Sequence, residues 1–292
     1  MSSRPTIGIF DSGFGGLTVM RSLLALVPDA NYVYLGDTAR LPYGSKSRET
    51  IARYAVDSLR FLESQGAELF VVACNTASAL ALDALEAEAK IPVIGVIEPG
   101  ASAARAARNE AMQEAAATDL TSDGVLVLAT EATVQSHAYA RACAAHGLRA
   151  FEKACPLLVP LVEEGWIDHP VTEEVARIYL AEALVQAGAQ NIIPHTILLG
   201  CTHYPLLQDL FECVLLKHFA DHDPMSILDS AEATAQRVKQ LVAERFSSTS
   251  TTSTTEPTQK FFATDSVEKF QRLGSRFLGC PIAYVQHVDL GG

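Results

Sequence analysis

The sequence is short of basic residues. Lys and Arg total 22 against 34 Asp and Glu, so the formal net charge is −12 at pH 7 and the pI is near 5.1. With no excess of cations to neutralise phosphate, binding to nucleic acid or to an anionic lipid surface is disfavoured. No apolar run approaches the roughly 20 residues of a transmembrane helix, and the N-terminal MSSRPTIGIF lacks the basic and apolar regions of a signal peptide. We therefore expect a cytoplasmic protein without nucleic-acid or membrane partners.

Paired-cysteine and zinc motifs are also missing. No two cysteines form a C-x-x-C pair, and a chain of 292 residues is large enough to be stable without disulfide staples. His218 and His222 have a spacing that could bind zinc on a helix, but the Glu of H-E-x-x-H is absent, so no metal site is predicted. We interpret all six cysteines as free thiols: Cys74, Cys143, Cys155, Cys201, Cys213 and Cys280.

The pattern along the chain predicts an α/β fold. Short apolar runs are followed by a small or polar cluster and then by a helical pattern, as in TIGIF-DSGFGG-LTVMRSLLALV. Repeated strand–helix units predict mostly parallel sheets flanked by helices, with ligands at the carboxyl ends of the strands. The Ser/Thr-rich stretch 247–258 is predicted to be a flexible insertion.

A weak internal repeat divides the chain into two related halves. The cluster DSG at Asp11 corresponds to ATEAT at Thr130, VVACNT at Cys74 to LLGCTH at Cys201, and VIGVIEP to MSILDSA, all at similar offsets. We expect two pseudo-symmetric α/β domains with an active site between them. The predicted boundaries are 1–98 plus 230–292 for the first domain and 99–229 for the second.

Two of the cysteines are the main candidates for chemistry. Cys74 ends the apolar run LFVVAC, Cys201 ends ILLGC, and a helical pattern follows each. A free cysteine thiol has a pKa of about 8.5, and a helix N-terminus lowers this pKa and so favours the thiolate form. A single buried cysteine is more often an apolar filler, but fillers have no reason to recur at equivalent positions. The other four cysteines keep the filler interpretation.

The turn after the first strand, DSGFGG, carries a carboxylate at Asp11. It lacks the third glycine of G-x-G-x-x-G and is not followed by a Walker Gly-Lys-Ser/Thr, which argues against a nucleotide site. Two interpretations remain: Asp11 orients or accepts protons near a thiol, or it is a helix N-cap.

Several ordered motifs together resemble the aspartate/glutamate racemase family, and glutamate racemases in particular. They are IGIFDSGFGGLTV, GDTARLPYGSKS, VVACNTASA, IPVIGVIEPG, VLATEATVQSHAY, CPLLVPLVEEG and LLGCTHYPLL. The resemblance implies that the chain is an isomerase that interconverts L- and D-glutamate without a cofactor and supplies D-glutamate for peptidoglycan. It leaves a homodimer open as the assembly.

The resemblance also implies roles for matching residues. Cys74 would take the α-proton from D-glutamate with Asp11 assisting, and Cys201 would take it from L-glutamate with His203 assisting. Glu163 would be a further carboxylate on the Cys201 side, with a solvent-facing helix surface as the alternative for at least one of Glu163 and Glu164. Asp11 and His203 would contact the substrate together with Ser12, Pro42, Tyr43, Gly44, Asn75, Thr76, Thr130, Thr133 and Thr202. For Tyr43, packing in a turn is an alternative.

Racemisation fits this residue set chemically. One group must remove a proton from one face of the α-carbon while another delivers a proton to the opposite face, which two thiols can do. Without a pyridoxal cofactor, the carbanion needs hydrogen bonds and dipoles placed before the reaction. Backbone amides with Asn and Thr side chains provide these without burying another charge.

Other functions remain open. The nearest is an aspartate racemase or another racemase of the same superfamily. A thiol-nucleophile enzyme would use Cys201 with His203 as base, and a gyrase-interacting protein is a third class. Because the first racemase motif begins almost at residue 1, we expect no dependence on a UDP-linked cell-wall precursor as activator.

Overall fold

A computed structural model describes residues 4–114, 124–220, 222, 224–246 and 256–291. The predicted flexible insertion lies outside the described residues as far as position 255. At its end, the main-chain N–H and the hydroxyl of Thr258 donate to Oδ1 of Asn31, both at 3.0 Å. In the described ranges, no helix is sufficiently long and apolar to cross a membrane.

The chain divides into two compact units, one formed by residues Met1–Val96 and Ala231–Gly292, the other by Ile97–Ser230. The elements of unit 1 are β1 (Thr6–Asp11), α1 (Leu17–Leu26), β2 (Asn31–Gly36), α2 (Arg48–Ser64), β3 (Leu69–Val72), α3 (Asn75–Leu80), α4 (Leu82–Glu88) and β4 (Val93–Gly95). Those of unit 2 are α5 (Ile97–Glu114), β5 (Gly124–Ala129), α6 (Glu131–Ser136), α7 (Ala138–Ala145), β6 (Arg149–Ala154), α8 (Leu158–Glu163), α9 (Pro170–Ala189), β7 (Pro194–Gly200), α10 (Gln208–His218) and β8 (Ser226–Asp229). The chain then completes unit 1 with α11 (Ser230–Phe246), β9 (Gln259–Ala263), α12 (Val267–Leu278) and β10 (Gln286–His287).

The burial of the strands agrees with the prediction of parallel sheets. β3 and β5 are buried along their whole length, as expected for strands of a parallel sheet that is covered on both faces. At the outer layer, α12 buries Phe270, Leu273 and Phe277 on one face and ends at Gly279, whose φ of 82° is the left-handed conformation that glycine adopts readily. The predicted α/β class with parallel sheets flanked by helices is confirmed.

The two sheets share a strand order. Within the described residues, the sheet of unit 1 runs β10-β9-β2-β1-β3-β4 and that of unit 2 runs β6-β5-β7-β8, with every neighbouring pair parallel. The segment β2-β1-β3-β4 therefore has the same order as β6-β5-β7-β8. The internal repeat inferred from the sequence corresponds to this shared topology, with β1 matching β5 and β3 matching β7.

The register places the repeated polar clusters side by side within each unit. β1 pairs with β3 so that Phe10 lies opposite Val72, and β5 pairs with β7 so that Ala129 lies opposite Gly200. Because parallel strands end at the same edge of a sheet, the turn after β1 is next to Cys74. The start of α6 is next to Cys201 for the same reason.

We predict that Gly36→Ala destabilises unit 1. A Cβ at position 36 would lie 2.2 Å from the carbonyl oxygen of Gly13 and 2.5 Å from Cε2 of Phe270, so the turn after β1 or the helix α12 would have to shift. Overpacking of this kind costs about 1–3 kcal/mol. Denaturant unfolding would measure the change.

Gly188→Ala is the matched control, because its added Cβ meets nothing within 4 Å. It should leave stability unchanged or raise it by up to about 1 kcal/mol through helix propensity. Equal effects of the two substitutions would contradict the packing argument.

Candidate active site

Cys74 occupies the N-cap position of α3 in unit 1. Its Sγ accepts a hydrogen bond from the main-chain N–H of Ala77 at 3.5 Å, and its thiol donates to Oγ of Ser12, also at 3.5 Å. The side chain is buried, as are the next two residues, Asn75 and Thr76. The structure thus places the predicted residues Ser12, Cys74, Asn75 and Thr76 at one strand edge.

Asp11 is the last residue of β1, lies beside this thiol and is 1% exposed. Its Oδ2 accepts from the main-chain N–H of Gly13 at 2.9 Å. The N-cap of α1 is Gly16, which has no side-chain cap, so the interpretation of Asp11 as a helix N-cap is wrong. A Cβ on Gly16 would lie 2.7 Å from Cβ of Asp11, which is why the turn needs glycine there.

The helix N-terminus was expected to favour the thiolate form of Cys74, but burial of this side chain acts in the opposite direction. Burial, the larger cause, and the neighbouring carboxylate of Asp11 together raise the pKa of the Cys74 thiol to about 11. The hydrogen bonds with Ser12 and Ala77 act in the opposite direction, but by less. Desolvation of the charged form outweighs the helix terminus at this position.

A buried carboxylate that the sequence analysis did not single out organises the segment that follows β2. Asp37 is fully buried and accepts from Nε of Arg40 at 2.9 and 2.7 Å, from Oγ1 of Thr264 at 3.0 Å, and from the hydroxyl of Tyr43. Arg40 continues the network to Asp57 at 3.1 Å. Asp37 follows directly after β2, and the predicted site residues also lie at strand ends. This position in the sequence could have identified Asp37 as a candidate.

This network gives the side chain of Tyr43 a packing role. It is 2% exposed and its ring lies near Phe10, with ring centroids 6.2 Å apart. Beside it, Pro42 is exposed after a cis peptide bond and Gly44 is partly exposed. That Pro42, Tyr43 and Gly44 contact a substrate remains a prediction.

Cys201 follows β7 in unit 2 and is buried. Its Sγ lies 4.0 Å from Nδ1 of His203, within hydrogen-bonding range for sulfur, and Nε2 of His203 lies 3.3 Å from Oε1 of Glu163. Glu163 is the last residue of α8, and its side chain is 19% exposed, so it is not simply a solvent-facing helix residue. The three predicted residues form one chain of contacts.

The local structure after Cys201 differs from the expectation that it matches that of Cys74. A turn and a short 3-10 helix, Tyr204–Leu207, separate Cys201 from α10, which begins only at Gln208. Pro205 occupies the first turn of the 3-10 helix, where it has no N–H to leave unpaired. The α-helix terminus is therefore displaced from the second thiol.

Three predicted threonines surround this strand edge. The hydroxyls of Thr130, the N-cap residue of α6, and Thr133 lie 2.9 Å apart, and Thr133 is 1% exposed. Thr202, next to the thiol, is buried. These hydroxyls can donate and accept hydrogen bonds without adding charge to the site.

The remaining cysteines show no comparable setting. Cys143 and Cys155 are buried, and burial raises the pKa of the first to about 11 and of the second to about 12. Cys213 is partly exposed and Cys280 is exposed, so the filler interpretation is wrong for Cys280. Among the described residues, no group of three or more His, Cys, Asp or Glu side chains could hold a metal ion.

Each unit thus presents a buried thiol, with hydrogen-bonding partners, at the carboxyl edge of a parallel sheet. This fold and these strand ends define a class of α/β proteins with one buried thiol at the carboxyl edge of each sheet. The family model described as Asp/Glu/Hydantoin racemase matches residues 7–238, and the chain belongs to this family of isomerases.

Relatives that match the chain over its full length show which members of the family it resembles. The chain is 50% identical to a glutamate racemase of Koribacter versatilis over 99% of both chains. A crystal structure of glutamate racemase from Francisella tularensis in complex with D-glutamate has a TM-score of 0.82 at 32% identity, over 99% of both chains. Glutamate racemase from Thermus thermophilus in complex with beta-chloro-D-alanine has a TM-score of 0.78 at 38% identity, over 98% of both chains. The resemblance drawn from the sequence motifs is confirmed.

We predict opposite shifts in the reactivity of Cys74 from two substitutions. Asp11→Asn removes a negative charge that disfavours thiolate, so the pKa of Cys74 falls and its alkylation begins at lower pH. Ser12→Ala removes a hydrogen bond that lowers the pKa, so the alkylation profile moves to higher pH. Peptide-resolved mass spectrometry after iodoacetamide pulses would measure both, with exposed Cys280 as internal reference. Shifts in the same direction would refute the assigned causes.

Proposed function

We propose that this protein interconverts L- and D-glutamate by transferring the α-proton between two cysteine thiols, Cys74 and Cys201. The single observation that carries the proposal is the pair of buried thiols at matching strand ends of two sheets with the same strand order. The full-length similarity to glutamate racemases supports glutamate as the substrate.

The unit 1 residues suit removal of a proton from D-glutamate. The α-proton of an amino acid is very weakly acidic, so a strong base is useful, and a thiol whose pKa is raised to about 11 has a strong conjugate base. An ammonium group of the substrate near Cys74 would favour its thiolate form. Asp11, which immediately precedes Ser12 at the end of β1, would receive or orient the thiol proton.

The unit 2 residues suit the reverse task. In this proposal Cys201 protonates the carbanion when D-glutamate reacts and deprotonates L-glutamate. His203, 4.0 Å from the sulfur, exchanges the proton, and Glu163, 3.3 Å from the other ring nitrogen, orients the imidazole and stabilises its cationic form. The reaction requires both sulfurs to reach the same α-carbon from opposite faces.

Neutral polar groups would hold the substrate and stabilise the carbanion. The candidates are Ser12, Asn75, Thr76, Thr130, Thr133 and Thr202, together with the ring of Pro42 and the main-chain N–H groups of Tyr43 and Gly44. Hydrogen bonds arranged before the reaction stabilise developing charge without reorganisation. We further propose that the enzyme uses no cofactor, works in the cytoplasm as a source of D-glutamate for peptidoglycan, and can assemble as a homodimer.

The mechanism predicts that both thiols are needed for racemisation. In D2O, the wild type should incorporate deuterium at the α-carbon of either enantiomer while racemising it without added cofactor. Cys74→Ser and Cys201→Ser should each lower racemisation by at least about 100-fold, because serine is a far weaker acid than cysteine. Cys280→Ser, which alters an exposed thiol, is the control and should behave as wild type.

Racemisation that survives in both variants would overturn the two-thiol mechanism. A covalent adduct on Cys201, trapped and detected by mass spectrometry, would instead support a thiol-nucleophile enzyme. Neither result depends on knowing the assembly of the protein.

The substrate assignment makes a separate prediction. The kcat/KM for glutamate should exceed that for aspartate by roughly 10-fold or more, since one methylene group in a fitted pocket is worth about 1–3 kcal/mol. Polarimetry with each amino acid would measure this ratio. A preference for aspartate would assign the chain to another branch of the same family.

A further inference from the structure

Tyr204 is fully buried three residues after Cys201, in the short 3-10 helix that separates the thiol from α10. Its main-chain N–H donates to the carbonyl oxygen of Cys201 at 3.1 Å. The side chain therefore starts from the same turn that carries the thiol and His203.

The hydroxyl of Tyr204 reaches the ends of two other strands. It donates to the carbonyl oxygen of Cys155 at 2.8 Å and lies 3.4 Å from that of Ala129. The N–H of Cys155 donates to the same Ala129 oxygen at 2.9 Å. One hydroxyl thus connects the residue after β6, the last residue of β5 and the turn after β7.

This connection joins the thiol segment to the threonine segment. Ala129 immediately precedes Thr130, the N-cap of α6, whose hydroxyl contacts that of Thr133. The Tyr204 hydroxyl therefore links the turn that follows Cys201 to the residue that precedes Thr130. Burial raises the pKa of Tyr204 well above its usual value, with Cys201 contributing, so the hydroxyl keeps its donor proton at neutral pH.

In unit 1, different contacts hold the segment that follows the thiol. The residue three positions after Cys74 is Ala77, whose N–H donates directly to the cysteine sulfur, and α3 begins at the next residue after the thiol. In unit 2 the α-helix begins only at Gln208. There the hydroxyl of Tyr204 bonds the turn after Cys201 to the ends of the neighbouring strands.

We propose that Tyr204 is a positioning residue for racemisation, whose hydroxyl bonds to the Cys155 and Ala129 carbonyls hold Cys201 in register with the threonines at the start of α6. The proposal rests on the proposed function for its kinetic consequences. Its effect on the Cys201 thiol can be measured without any substrate.

The test is Tyr204→Phe, with Tyr32→Phe as the matched control. Tyr32 is also fully buried, and its hydroxyl also lies within reach of two main-chain carbonyls, those of Leu23 at 3.0 Å and Val27 at 2.7 Å. Those carbonyls belong to the end of α1, away from the strand ends that carry the thiols. Both substitutions remove one hydroxyl and leave the ring.

In Tyr204→Phe we expect kcat/KM to fall between about 10- and 100-fold, the size of effect that a small misplacement of a reacting group produces. The fall must be equal in both directions, because the enantiomers have equal free energies. The kcat/KM of Tyr32→Phe should stay within about twofold of the wild-type value. Its melting temperature should be similar to that of Tyr204→Phe.

The second readout is the rate of iodoacetamide alkylation of each thiol against pH, resolved by peptide. Tyr204→Phe should shift the profile of Cys201 and leave that of Cys74 unchanged, whereas Tyr32→Phe should shift neither. If Tyr204→Phe does not fold at the assay temperature, 3,5-difluorotyrosine at position 204, whose hydroxyl is more acidic, must shift the Cys201 profile alone.

Equal kinetic effects of the two tyrosine substitutions, or an unchanged Cys201 profile, would overturn the positioning role. If wild type fails to racemise glutamate but Tyr204→Phe still shifts only Cys201, the proposed function fails while the connection through Tyr204 stands. The two proposals are therefore separable by experiment.

Discussion

Parallel pairing of neighbouring strands is the constraint on which the candidate sites depend. β1 runs beside β3, and β5 beside β7, so the residues that leave one strand of each pair meet those that leave the other. Asp11 and Ser12 reach Cys74 in this way, and Thr130 and Thr133 reach the edge that carries Cys201. If either pair were antiparallel, the two clusters of its unit would lie at opposite ends of the sheet.

The shared strand order did not produce identical surroundings. Cys74 caps a helix and bonds to a serine next to a buried carboxylate, whereas Cys201 precedes a 3-10 turn and contacts a histidine that is backed by Glu163. The first environment opposes ionisation of its thiol through burial and negative charge. The second supplies an imidazole, whose ring nitrogens can donate or accept hydrogen bonds. The two thiols thus have different hydrogen-bonding partners.

Each unit also has a buried tyrosine whose hydroxyl bonds to main-chain carbonyl oxygens near these strand ends. In unit 1 the hydroxyl of Tyr34 donates to the carbonyl oxygen of Gly13 at 3.2 Å. In unit 2 the hydroxyl of Tyr204 does the corresponding work at the ends of β5 and β6. A tyrosine suits this role because its ring fills the core while its hydroxyl satisfies buried main-chain groups.

The sequence by itself determined the α/β class, the internal repeat, the family and the identity of the strand-end residues, because these depend on local periodicity and on motifs that are contiguous along the chain. Only the tertiary structure decided the raised pKa of Cys74, since burial arises from segments distant in sequence. It likewise decided that Asp37 gathers Arg40, Tyr43 and Thr264, the last of them 227 positions away along the chain. The delayed start of α10 after Cys201 also depended on packing, which overrode a local pattern that would have allowed a helix from Pro205.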